Sequence, residues 1–289
     1  LGAIDKYATV TSEKTNTDNI LISSSLGQTS IQKDKEEYKI EKKFRPFFHI
    51  AKQVISKNNF NKGISIKIES DIPIGAGLGS SSACCVAAAA SISNLFNNTD
   101  EKEILELAIQ AEKTIFPNSS GADCTVSVYG GIIEYQRERG FSKINTESEF
   151  NFLIINSEQV HATDKVVERV KKFKEKNEDV FFELCSEEER LITKAIDSMK
   201  NSDLEMIGKC MAQNQIFLEQ IGVSNDELLL IIKEIEKITF GAKITGAGDG
   251  GCIIALAQKD NDLSEYVNTT KYQTHQVSIQ KIGMQVFNT

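Results

Sequence analysis

Apolar and polar residues alternate at Ile64, Ile66 and Ile68, which predicts a half-buried strand over residues 63–70. The pattern then changes. Residues 71–83 read D-I-P-I-G-A-G-L-G-S-S-S-A, and the small-residue run A-C-C-V-A-A-A-A after them predicts a buried helix reaching about Phe96. A second helix starts at Asp100, where Asp100 and Glu103 form a capping box, and it sets Ile104, Ala108, Ala111 and Ile115 on one face. Upstream, strands are predicted over 3–12 and 18–23 and a helix over 45–57, with a solvated charge run at 32–43. Downstream, Val126 and Val128 predict a strand that ends at Gly130-Gly131, and F-L-I-I at 152–155 predicts another. Four amphipathic helices follow over 163–174, 178–199, 203–220 and 225–238.

The strand, glycine loop, serine cluster and helix at 63–96 make an anion-binding arrangement. Gly75, Gly77 and Gly79 allow close backbone approach and positive φ. Ser80, Ser81 and Ser82 place hydroxyls and free N–H groups where a helix begins with its positive dipole end. A phosphate fits there. The loop has no lysine for a Walker sequence, and Ser80 stands where a dinucleotide fingerprint needs its third glycine.

Glu112 falls eight residues after Ile104, so it lies on the apolar stripe of its helix, and a carboxylate aimed into a core needs a partner. Asp123 follows the turn F-P-N-S-S-G. A second glycine loop, A-K-I-T-G-A-G-D-G-G-C-I-I-A-L, occupies residues 242–256. Gly246, Gly248 and Gly251 match the dinucleotide spacing, but the apolar run after them predicts a strand, so a strand–turn–strand hairpin fits better.

With 289 residues the chain can bury one large core or two medium ones. A net charge of −8 excludes a general nucleic-acid binder, and it leaves an anionic ligand to be held by local groups and a metal ion. The six cysteines form no C-x-x-C pair, and with three histidines they predict no zinc site. Free thiols suit a reducing cytoplasm. No apolar run is long enough to span a bilayer, and no signal peptide is visible. The chain opens Leu1-Gly2-Ala3-Ile4 without methionine, so residues are expected to precede it.

Together, P-I-G-A-G-L-G-S-S-S-A at Pro73–Ala83 and K-I-T-G-A-G-D-G-G-C at Lys243–Cys252 resemble the paired motifs of the GHMP kinases. The resemblance covers nearly the whole chain and is strongest to the mevalonate kinases in their shorter archaeal form. Glu112 and Asp123 stand at that family's spacing. The resemblance implies an α+β fold of two domains, an ATP-loop domain over 1–150 and a ferredoxin-like domain over 151–289, with the active site in the cleft between them. It implies that Gly75, Ala76, Gly77, Leu78, Gly79, Ser80, Ser81 and Ser82 wrap the ATP phosphates, and that Gly246 and Gly248 shape the site beside them. Ser81 and Glu112 would hold Mg²⁺, Asp123 would face the substrate hydroxyl, and Thr163 would sit on the substrate side.

The implied reaction is ATP-dependent phosphorylation of the 5-hydroxyl of mevalonate in isoprenoid precursor synthesis, with no nucleic-acid or membrane partner; a homodimer is compatible with it. Sister kinases acting on phosphomevalonate, a sugar or homoserine stay open, as does a nucleotide-binding regulator without catalysis. Three departures stand out. The turn before Asp123 differs from the family's H-G-x-P-S-G, Asp249 replaces a usual glycine, and the family's N-terminal lysine motif is absent from the sequence.

Overall fold

The computed structural model describes residues 1–73, 75–159, 163–258 and 263–288. They divide into two compact units, one of Leu1–Pro73, Gly79–Lys143 and Gln280–Thr289, the other of Ile74–Leu78 and Ile144–Ile279. This differs from a single boundary at 150, because the C-terminal tail returns to the first unit. There Gln280 N–H donates to Ala3 O, Gly131 N–H to Gln280 O and Met284 N–H to Val128 O.

In the first unit, strands β1 (Ala8–Lys14), β2 (Asn19–Ser24), β3 (Gly27–Gln32) and β4 (Ile64–Ser70) form one sheet in the order β1-β4-β2-β3. β4 is antiparallel to β1 and parallel to β2. Its alternation behaves as expected, with Ile64, Ile66 and Ile68 buried and Lys67 and Glu69 exposed. β1 begins later than the expected strand at 3–12, and the charge run at 32–43 resolves into turns with a 3-10 segment at Glu37–Lys39.

Helices α1 (Arg45–Lys57), α2 (Ser80–Asn94), α3 (Glu101–Lys113) and α4 (Ala122–Tyr129) pack with this sheet. α2 touches β1, β4 and the other three helices. Only small side chains allow so many neighbours, and Cys85, Ala88, Ala89 and Ile92 are fully buried. Asp100 caps α3, accepting from Lys102 N–H at 3.0 Å and Glu103 N–H at 2.9 Å. Glu103 turns away to Lys57 and Asn98, so only half of the expected capping box forms.

One expectation is corrected here. The segment containing Val126 and Val128 is helix α4, not a strand. Gly121 starts it at φ +83°, and Cys124, Thr125, Val126 and Val128 are buried together against α2 and α3. Burial at consecutive positions suits a short core helix, and this packing overrides the strand propensity of the valines. Strands β5 (Ile132–Gln136) and β6 (Gly140–Ile144) then form a separate hairpin.

The second unit holds strands β7 (Asn151–Asn156), β8 (Thr239–Ile244), β9 (Cys252–Ala257) and β10 (Gln273–Ser278), ordered β10-β7-β9-β8 and all antiparallel. With helices α5 (Thr163–Lys176), α6 (Glu178–Lys200), α7 (Leu204–Gln220) and α8 (Asp226–Ile235) before β8 and α9 (Ser264–Thr269) before β10, this is the expected ferredoxin-like order with an enlarged first crossover. Its core gathers Leu153, Ile155, Leu228, Ile231, Ile244 and Ile253. The glycine loop at 245–251 does join two antiparallel strands, β8 and β9. No helix among the described residues is long and apolar enough to cross a membrane.

Candidate active site

In the first unit, the end of the first glycine loop meets the start of α2. Gly79 is the N-cap at φ +70°, a left-handed conformation that glycine adopts without strain. No side chain caps this end; the first helical hydrogen bond there runs from Ala83 N–H to Gly79 O. The N–H groups of Ser80, Ser81 and Ser82 therefore keep their donor capacity at the positive end of the dipole.

Asp123 lies beside this end. A Cβ added to Gly79 would sit 3.6 Å from Asp123 Cβ and 3.8 Å from Oδ2. Asp123 itself occupies the first turn of α4 and keeps access to solvent. The protein around it strips much of its hydration, and the neighbouring Glu112 charge repels it, so its carboxyl titrates above the ordinary aspartate range.

Glu112 is on the buried stripe of α3, 6% exposed, beside Ala108 and Ala111. Its Oε1 accepts from Ser82 Oγ and its Oε2 from Ser119 Oγ. Cys124 Sγ lies 3.8 Å from Oε2. Burial pushes the Cys124 thiol up, and the Glu112 charge adds to it, so this sulfur stays protonated and can donate. Among the described residues, no lysine or arginine forms an ion pair with Glu112 or Asp123. Two neighbouring carboxylates without a lysine or arginine partner favour an added positive charge. An oxygen donor set of this kind suits Mg²⁺, which takes few protein ligands and completes its shell with phosphate oxygens and water. No group of three or more His, Cys, Asp or Glu that could hold a metal gathers among the described residues.

The turn before Asp123 is built to hold Ser119. Tyr135 Oη donates to Ser120 O at 2.6 Å and Arg137 Nη2 to Asn118 O at 3.0 Å. Gly121 N–H donates to Ser119 Oγ at 3.3 Å. Ser119, Tyr135 and Arg137 were not among the site residues expected from the sequence; the serine pair before Asp123 was the available signal. Of the three serines in the loop, Ser82 is the one bonded to Glu112, while Ser81 is half-buried beside it.

In the second unit the two glycine-rich segments approach backbone to backbone. A Cβ on Gly246 would fall 2.8 Å from Gly77 Cα, and one on Gly77 would fall 3.0 Å from Thr245 O. Both glycines have positive φ. Thr245 Oγ1 donates to Gly77 O at 3.4 Å. Gly248 is packed against Val223, whose carbonyl would lie 2.3 Å from an added Cβ. Ala76 is buried in this region, while Gly75 is exposed and Leu78 half-buried. Thr163 is the first residue of α5, and its side chain lies outside the described residues.

Known proteins resemble this chain in sequence and fold. The model of the GHMP kinases N terminal domain matches residues 46–131, and that of the GHMP kinases C terminal region matches residues 195–269. The chain is 33% identical over 258 residues to the mevalonate kinase of Archaeoglobus fulgidus, covering 86% of this chain and 82% of the relative. It is 30% identical over 241 residues to that of Thermococcus sibiricus, covering 81% and 72%. The crystal structure of the Methanococcus jannaschii mevalonate kinase superposes with a TM-score of 0.84 at 26% identity, over 96% of this chain and 90% of that one. The chain belongs to the GHMP kinase family, with archaeal mevalonate kinases as its relatives.

Proposed function

We propose that this kinase transfers the γ-phosphoryl group of ATP to the 5-hydroxyl of mevalonate, giving 5-phosphomevalonate and ADP. The observation that carries the reading is the pair of carboxylates, Glu112 and Asp123, set beside the uncapped N-terminus of α2 without a lysine or arginine ion pair among the described residues. Relatives named mevalonate kinase at about a third identity supply the substrate.

Phosphoryl transfer to an alcohol needs charge neutralisation, in-line positioning and a destination for the hydroxyl proton. In this reading the backbone N–H groups of Gly75, Ala76, Gly77, Leu78 and Gly79, with Ser80 and Ser82, receive the phosphate oxygens. Gly246 and Gly248 shape the site beside them. Ser81 and Glu112 hold Mg²⁺, which when bound neutralises phosphate charge. Glu112 suits this task because hydrogen bonds from Ser82 and Ser119 fix its two oxygens.

Asp123 orients the substrate hydroxyl and accepts its proton. Its raised affinity for a proton improves the second role, since a base works best with a pKa nearer the working pH. Thr163 completes the substrate side. The six free cysteines support a cytoplasmic setting.

The test is ADP release by the full-length protein with Mg·ATP and, separately, mevalonate, 5-phosphomevalonate, homoserine or galactose. Turnover with mevalonate alone is the expected result. Turnover confined to another alcohol overturns the substrate, and nucleotide binding without turnover overturns the enzymatic role.

A further inference from the structure

Asp249 stands in the second glycine loop with φ +60°, a conformation that glycine holds more easily. Its carboxylate also brings negative charge to a segment that the proposed function gives to phosphates. One side chain answers the charge. Arg169 on α5 donates from Nη2 to Asp249 Oδ2 at 2.8 Å and from Nη1 to Gly222 O at 3.0 Å. The next residue, Val223, accepts from Asp249 N–H at 2.7 Å. The guanidinium thus closes a ring through α5, the turn after α7 and the glycine loop.

We propose that Arg169 is a positioning residue for nucleotide binding, which neutralises Asp249 so that a polyphosphate meets an uncharged loop. The inference rests on the nucleotide reading above. As a stability device the pair would add little, because its side chains are 46% and 32% exposed and water screens them. Toward a ligand carrying several negative charges the balance differs, since an unpaired carboxylate repels every phosphate near it. The backbone bond from Asp249 to Val223 does not use the carboxylate. Asp249→Gly therefore keeps that bond, relieves the left-handed strain and removes the charge that Arg169 offsets. Loss of the arginine should matter only while the aspartate is present.

The experiment is calorimetric titration of the full-length protein with Mg·ADP, in the wild type, Arg169→Ala and the double variant Arg169→Ala/Asp249→Gly. We expect Arg169→Ala to weaken Mg·ADP about fivefold at low salt, with the loss shrinking as salt screens the exposed charges. It should raise KM for ATP while kcat stays within about twofold. The double variant should regain most of the lost affinity. A structural staple would behave otherwise, because the glycine cannot replace its contacts. The proposal is overturned if Arg169→Ala binds like the wild type, or if the double variant is as weak as the single one. A wild type that binds Mg·ADP but phosphorylates no mevalonate overturns the proposed function alone. A wild type that does not bind Mg·ADP overturns both.

Discussion

Ser82 donates its hydroxyl to Glu112 Oε1 across the interface of α2 and α3, with the two residues only 2% and 6% exposed. The contact joins the serine cluster of the glycine loop to a carboxylate thirty residues further on. It explains how a charged group is tolerated on an otherwise apolar stripe. Ser82→Ala removes the donor and leaves a buried carboxylate oxygen short of a partner, at a cost of about 1–3 kcal/mol. Urea denaturation should show the midpoint falling with an unchanged slope. A midpoint equal to the wild type would mean that Glu112 finds another donor and that Ser82 is incidental.

Glu112→Gln keeps the shape and one acceptor oxygen but removes the charge. If Glu112 holds Mg²⁺, the Mg²⁺ concentration for half-maximal turnover should rise about 10-fold or more. Substrate KM at saturating Mg²⁺ should move little. An unaltered Mg²⁺ dependence would take Glu112 out of the metal role and leave it as a core residue.

Gly246 tests the meeting of the two glycine segments. An alanine there would place its Cβ 2.8 Å from Gly77 Cα at φ +76°, so the backbone itself must shift. Gly246→Ala should weaken Mg·ADP about 10-fold or more, a change of about 1.4 kcal/mol. A dissociation constant within twofold of the wild type would show that this approach does not shape the nucleotide site.

Much of this was readable along the chain, for physical reasons that differ by element. β4 showed itself because one face is buried and its isoleucines alternate, and α3 because its buried stripe keeps helical spacing. The position of Glu112 on that stripe was legible for the same reason. α4 was not, since two valines at strand spacing concealed a helix buried on consecutive positions. β3 and β10 each bury a single apolar residue, Ile31 and Val277, so no alternation announces them. Ser119 and Arg169 act through partners fixed by tertiary structure. Arg169 reaches Asp249 eighty residues away, and no local pattern encodes that pairing.

Asp123 offers a prediction in which stability and activity move in opposite directions. Its carboxyl binds a proton more tightly in the folded protein than in the unfolded chain, because the fold strips part of its hydration and the Glu112 charge repels it. Between the ordinary aspartate pKa of about 4 and the raised folded value, the native state therefore holds more protons than the unfolded one. Stability then falls as pH rises through that window, and above it the full penalty remains. Asp123→Asn carries no such penalty. At pH 7 its melting temperature should exceed that of the wild type, and the gap should close as pH drops below about 4, where both states of the wild type are protonated. Turnover should fall about 100-fold or more, with Mg·ADP affinity within about threefold of the wild type. The acidic limb of wild-type turnover should lie above that of an ordinary aspartate. Equal melting temperatures at pH 7, together with near-normal turnover, would remove Asp123 from the chemistry.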